Sequence, residues 1–101
     1  MDDVIDLIQE STAVDENFNV VGVETSTQVF CQVRSVSRSE FYAVGQQGLQ
    51  PSFVFEIFAG DYSGQRLVRY RGKLYAIYRT YNRMDDRVEL YAEEKAGVAN
   101  V

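Results

Sequence analysis

Few side chains in this sequence are suited to chemistry, and their types exclude most of it. The 101-residue chain has no histidine and a single cysteine, Cys31. Triads and dyads that need imidazole as general base are therefore excluded. Metal sites built on Cys and His are excluded with them, and a lone thiol forms no internal disulfide. Adjacent carboxylates occur at Asp85-Asp86 and Glu93-Glu94. Neighbours on a strand face opposite sides, so Glu93 and Glu94 do not converge on one ligand. Asp85-Asp86 reads as a solvated hairpin tip. Gly60-Asp61-Tyr62-Ser63-Gly64 lacks the Lys-Ser or Lys-Thr ending and the helix of a phosphate loop. The expectation is a protein without catalysis, cofactor or metal.

One arrangement has the make-up of a binding surface. Read as a regular strand, residues 74–83 place Tyr75, Ile77, Arg79, Tyr81 and Arg83 on one face, opposite Leu74, Ala76, Tyr78 and Thr80. Interleaved aromatics and arginines on a small barrel suit single-stranded nucleic acid, which they stack against and neutralise. Tyrosine and arginine also dominate protein–protein hot spots. The formal net charge of −5 argues against nucleic acid as the main partner.

The elements that must carry these residues are strands. Arg66 to Glu94 is rich in Tyr, Val, Ile and Leu, with breaks at Arg71-Gly72 and Met84-Asp85-Asp86. Those breaks predict three strands joined by two tight turns, a meander. Thr27 to Val36 predicts another strand, with Val29, Cys31 and Val33 on one face and Phe30, Gln32 and Arg34 on the other. Cys31 is expected as a small buried hydrophobe. Ser52 to Ala59 alternates likewise, and Phe53, Phe55, Ile57 and Ala59 form its better core face. Val4 to Ile8 is short and apolar, open to helix or strand. Its length and the polar break at Glu10-Ser11-Thr12 favour strand. Asp15 to Asn19 reads as a turn or hairpin loop, with Asn17 and Asn19 suited to left-handed geometry, and Val20 to Thr25 as a place where pairing restarts. Short strands at even spacing argue a small barrel or sandwich, and closing the sheet removes exposed edges.

Between two of these strands the pattern breaks for about a dozen residues. Ser37-Arg38-Ser39-Glu40 has capping-box spacing, which predicts a short helix with Phe41 and Val44 on one surface. Gly45 is placed to end it, Gly48 adds slack, and Pro51 forbids helix beyond. Long insertions on compact domains are usually functional. The plainer reading is a helix that plugs the end of a barrel with Phe41.

Length and composition bound the rest. One domain of this size buries roughly two-thirds of its unfolded surface. No apolar run approaches the ~20 residues of a membrane helix. The opening Met1-Asp2-Asp3 is acidic where a signal peptide is basic, so a cytosolic origin is expected. Charge is unevenly placed. Every charged residue before Arg34 is acidic: Asp2, Asp3, Asp6, Glu10, Asp15, Glu16 and Glu24. Seven of the ten basic residues lie between Arg66 and Arg87. Either the two groups pair inside one fold, or the acidic edge of one copy meets the basic edge of the next, a head-to-tail contact that closes into rings.

Taken in order, these stretches resemble the head-tail joining, or head-closure, proteins of long-tailed bacteriophages. The resemblance rests on Val29 to Phe41 with its Ser35-Val36-Ser37-Arg38-Ser39-Glu40-Phe41 run, and on the glycine-bearing loop and return strand from Gly45 to Glu56. It rests also on the hairpin Tyr70 to Tyr81 and the closing strand Asp85 to Tyr91. It covers Val4 to Gly97 in one register and is weakest before Thr25. It implies an all-β fold, a small antiparallel β-barrel with a long loop carrying a short helix between two strands, in a single domain over residues 1–101. The inserted loop would span 37–51 and a tail 95–101.

The implied role is structural. Such proteins form a ring under the portal and its adaptor after DNA packaging, close the channel, and present the surface for tail attachment. Carried over, the channel-gating loop comprises Ser37, Glu40, Phe41, Gly45, Gln46, Gln47, Gly48 and Leu49. A subunit or partner interface is expected on Arg69, Arg71, Tyr75, Arg79, Tyr81 and Arg83. The implied partners are further copies of the chain, a portal or adaptor protein, a tail terminator or tail completion protein, and packaged DNA contacted non-specifically, with no membrane. The implied location is the head–tail interface of the virion, reached from the host cytoplasm. The alternatives are a tail-side connector or adaptor without gating, and a small nucleic-acid-binding barrel.

Overall fold

The computed structural model describes residues 3–46, 48 and 51–95. Six strands close into one antiparallel barrel: β1 (Asp3–Val14), β2 (Val20–Ser35), β3 (Pro51–Phe58), β4 (Leu67–Tyr70), β5 (Lys73–Asn82) and β6 (Arg87–Glu94). Around the barrel the order is β1-β2-β3-β6-β5-β4, and β4 pairs back to β1 through Asp6–Arg69 to Ile8–Leu67. The all-β barrel with a short helix between two strands is the expected architecture.

The meander follows from its turns. Arg71 and Gly72 both take positive φ (52° and 79°), the twist-matched geometry for a two-residue hairpin between β4 and β5. Asp86, at φ 61°, turns β5 into β6. Strands β3 and β6 pair from Pro51–Glu93 to Phe58–Arg87 and carry the middle of the wall.

Alternation then fills the interior. Ile5, Leu7, Val29, Cys31, Phe55, Ile57, Val68, Val88, Leu90 and Ala92 are buried in one cluster. The rings of Phe53, Phe55, Tyr70 and Tyr75 meet near one another at 5.4–6.4 Å between centroids, four of the six pairs being edge-to-face, an arrangement that adds favourable quadrupole contact to burial. The inward faces expected for β2 and β3 are the ones found, with Cys31 buried.

Two features differ from the sequence reading. The first strand does not stop at Glu10-Ser11-Thr12. It continues to Val14, paired with β2 in one register from Asp3–Cys31 to Val14–Val20. Beyond Ile8 on β1, and before Val29 on β2, every residue of this hairpin is exposed. The result is a two-stranded arm that leaves the barrel and contributes to a molecule 50 Å long and 22 Å thick. Polar side chains are compatible with a strand when neither face is buried, which is why the break was misleading.

The turn at the arm's tip also differs. Asp15 accepts from the amides of Asn17 (2.9 Å) and Asn19 (2.8 Å) through its side chain. The left-handed residue is Phe18 (φ 64°), not Asn17 or Asn19, and the Phe18 ring is 87% exposed. A bulky residue in that conformation is uncommon, since it costs roughly 1–2 kcal/mol relative to glycine.

Candidate functional site

The insertion leaves the barrel at the end of β2 and rejoins it at β3. Its helix, α1 (Arg38–Gly45), starts where the sequence placed it, with the Ser37 hydroxyl accepting from the Glu40 amide at 3.2 Å. The reciprocal half of a capping box is replaced by something else. The Glu40 carboxylate reaches the barrel wall, accepting from the Tyr78 hydroxyl at 2.9 Å and from Arg79 at 2.7 Å. No residue of α1 is buried. Phe41 is 50% exposed and lies edge-on to Tyr42 at 6.0 Å, so it does not plug the barrel. Gly45 is the last helical residue, while the positive φ belongs to Gly48 (84°). Gln46 caps the helix in right-handed geometry. Gln47 and Leu49 lie outside the described residues.

Below the helix, a charged belt crosses the outer wall from β2 to β5. Register sets Glu56 opposite Glu89 on β3 and β6, a like-charge pair that is destabilising unless cations intervene. Arg34 reaches Glu89 at 3.0 Å, and Arg83 bonds Glu56 and Asp85 while lying 3.8 Å from Glu89. Tyr91 donates to Glu89 at 2.8 Å and supports Arg79, whose guanidinium stacks over its ring at 3.8 Å. Burial, with the hydrogen bond to Glu40 added, pushes the Tyr78 phenol well above the usual tyrosine range. It therefore remains a donor to Glu40 at any physiological pH.

The five-residue face expected on β5 is not formed. Pairing with β6 shifts between Ile77 and Arg79, a bulge that reverses the alternation. Tyr75 and Ile77 go to the core, whereas Arg79 lies on the belt. Tyr75 is 4% exposed, which removes it from the expected interface as a contact residue. The stacking surface imagined for nucleic acid loses its register with it. Tyr81 is exposed.

The two other arginines of the expected interface are engaged within the chain. Arg69 lies 3.6 Å from Glu24, and Arg71 lies 3.7 Å from Asp3 and over the Tyr70 ring. The acidic N-terminal part and the basic meander therefore pair in part inside one fold, Glu24 of β2 with Arg69 of β4 and Asp3 of β1 with Arg71 in the turn after β4. These pairs are exposed and contribute little to stability. Along the β5 edge, Arg66 has no carboxylate partner among the described residues.

Sequence reasoning placed the turn at Asp15 to Asn19 and renewed pairing from Val20, as found, but missed that this hairpin projects from the barrel as an arm, the exposed Phe18 and the anchoring role of Glu40. The arm had a signal: the apolar, mostly β-branched run Val20-Val21-Gly22-Val23 beyond a turn. Glu40 had none, because its partners lie 38 and 39 residues away. No protein-family model matches the chain, and no curated protein matches it in sequence. Among the described residues no helix is long and apolar enough to cross a membrane.

Proposed function

We propose that this protein is a structural closure protein of a phage or prophage particle. Copies form a ring under the portal and adaptor, close the DNA channel after packaging, and offer the surface to which the tail attaches. Its partners on this reading are further copies of itself, the portal or adaptor, a tail terminator or completion protein, and the packaged DNA without sequence preference. It acts at the head–tail interface and does no chemistry.

The observation that carries the proposal is the build of the insertion. A closed barrel holds an eight-residue helix with no buried residue, fastened at its first turn by Glu40 to Tyr78 and Arg79. A gate needs this combination of a rigid base and a segment not committed to the core, able to settle in more than one arrangement. The sequence resemblance supplies the particle, and the barrel matches the fold that it implies.

The test uses DNA-filled, adaptor-bearing heads. Adding the protein should stop DNA loss and permit tail joining; heads that stay sealed and accept tails equally well without it would overturn the proposal. Deleting Gln46 to Leu49 separates gate from connector. A gate then leaks DNA while still docking, whereas a connector loses docking or is unaffected.

A further inference from the structure

The arm is the largest feature that the gating role does not use. It presents Val14, Phe18, Val20, Val21 and Val23 to solvent, with exposures from 39% to 87%. Its only charged residues are acidic: Glu10, Asp15, Glu16 and Glu24. Glu10 sits directly across from Glu24, and only Glu24 has a cation near it, Arg69. The tip pairs a fully offered aromatic ring with two carboxylates, Asp15 and Glu16. Phe18 holds a positive φ that glycine or asparagine adopts with less strain, so the ring is kept at a conformational cost although it is 87% exposed.

A groove of matching chemistry lies elsewhere on the molecule. β4 is short, so it pairs with β5 only between Lys73 and Ala76. Past the Ile77 amide, which donates to the Arg66 carbonyl, β5 has an edge not paired with β4. Beside that edge is a cleft of about 230 Å³, lined by the 62–66 turn through Tyr62, Gly64, Gln65 and Arg66 and by β5 from Ile77 to Thr80. Its lining is more polar than apolar, with rings from Tyr62 and Tyr78, and of its two guanidinium groups Arg79 is already paired with Glu40. Arg66 is the one without a carboxylate partner among the described residues.

We infer that the arm tip of one copy docks in this groove of the next, Phe18 beside Tyr62 and Tyr78, with Asp15 and Glu16 toward Arg66. The occupant is a second copy because the chain's own tip stands roughly 20 Å beyond the arm's base and points away from the barrel. Charge selects the direction. An acidic arm laid against another arm meets like charge, whereas the β5 side offers opposite charge. Tip and groove are different surfaces, so the contact is heterologous and repeats from copy to copy. The inference rests on the reading that copies assemble, and it does not depend on gating.

The test uses two full-length chains with one exposed substitution each. Phe18→Gly removes the tip ring but keeps the groove; Arg66→Glu reverses the groove's charge but keeps the tip. Isotope-labelled Phe18→Gly protein is titrated with unlabelled Arg66→Glu protein to millimolar concentration and followed by amide resonances. Shifts confined to residues 62–66 and 77–80 are expected, while each variant alone self-associates at least tenfold more weakly than the mixture. No shifts at millimolar concentration, or shifts that persist when the unlabelled chain also carries Phe18→Gly, would overturn the inference. So would shifts located elsewhere, which would place the contact on a different surface of the second copy. The readout is contact between two copies, so its failure leaves the sealing assay on heads to decide the closure proposal separately.

Discussion

The two halves of the first hairpin make an instructive pair. From Asp3 to Ile8 and from Val29 to Ser35, β1 and β2 belong to the barrel, and Ile5, Leu7, Ile8, Val29 and Cys31 are buried. From Gln9 to Val14 and from Val20 to Gln28 the same strands keep the same register and bury nothing. Backbone pairing is common to both halves, so it does not explain their difference. Burial does, at about 25 cal/mol per Å² of apolar surface removed from water. The lower half holds the fold together, and the upper half is held by its own ladder, by the exposed Glu24–Arg69 pair and by whatever it meets.

That contrast can be broken or sharpened by substitution. The largest effect belongs to Phe55, fully buried among three other rings. Phe55→Ala should cost about 3–5 kcal/mol in denaturant unfolding, and a cost under 1 would mean that the barrel core is elsewhere. Next comes the belt that anchors the insertion. Arg79→Met leaves the mostly buried Glu40 carboxylate with only the Tyr78 hydroxyl, and should cost about 1–3 kcal/mol.

A smaller, pH-dependent effect comes from the tyrosines. Burial raises the phenols of Tyr62, Tyr70, Tyr75 and Tyr78 above their ordinary values. The native state then keeps protons that the unfolded chain releases, so stability is complete below the unfolded value of about 10 and falls as pH rises past it. Tyr78→Phe should make that fall shallower, and an unchanged slope would remove Tyr78 from the balance. The smallest effect is on the arm. Val21→Ala should change global stability by less than about 0.5 kcal/mol, with arm amides exchanging far faster than those of β3 and β6. Equal protection in the two regions would show that the arm is packed in the isolated chain.

How far the sequence could be read follows the same line. Alternation over Val29 to Val33 and Phe53 to Ala59, and turn chemistry at Arg71-Gly72, reported the barrel because burial writes a period of two into its strands. The arm carries no such period, because neither face of it is buried, and its polar start looked like a break. The β5 face was misassigned at Arg79 because one bulge reverses every side chain beyond it, and nothing local in Tyr75 to Tyr81 marks a bulge. Ser37 was legible as a cap because capping is local. Glu40 was not, because its partners depend on which strands meet.

The central claim is that a closed barrel carries an uncommitted helix-bearing segment with which neighbouring copies stopper a pore. Electron microscopy of the neck of the parent particle tests it most directly. The account predicts a ring of this chain beneath the adaptor with the 37–51 segments turned toward the lumen. Finding the chain elsewhere in the particle, or in a ring with those segments on its outer rim, would contradict it.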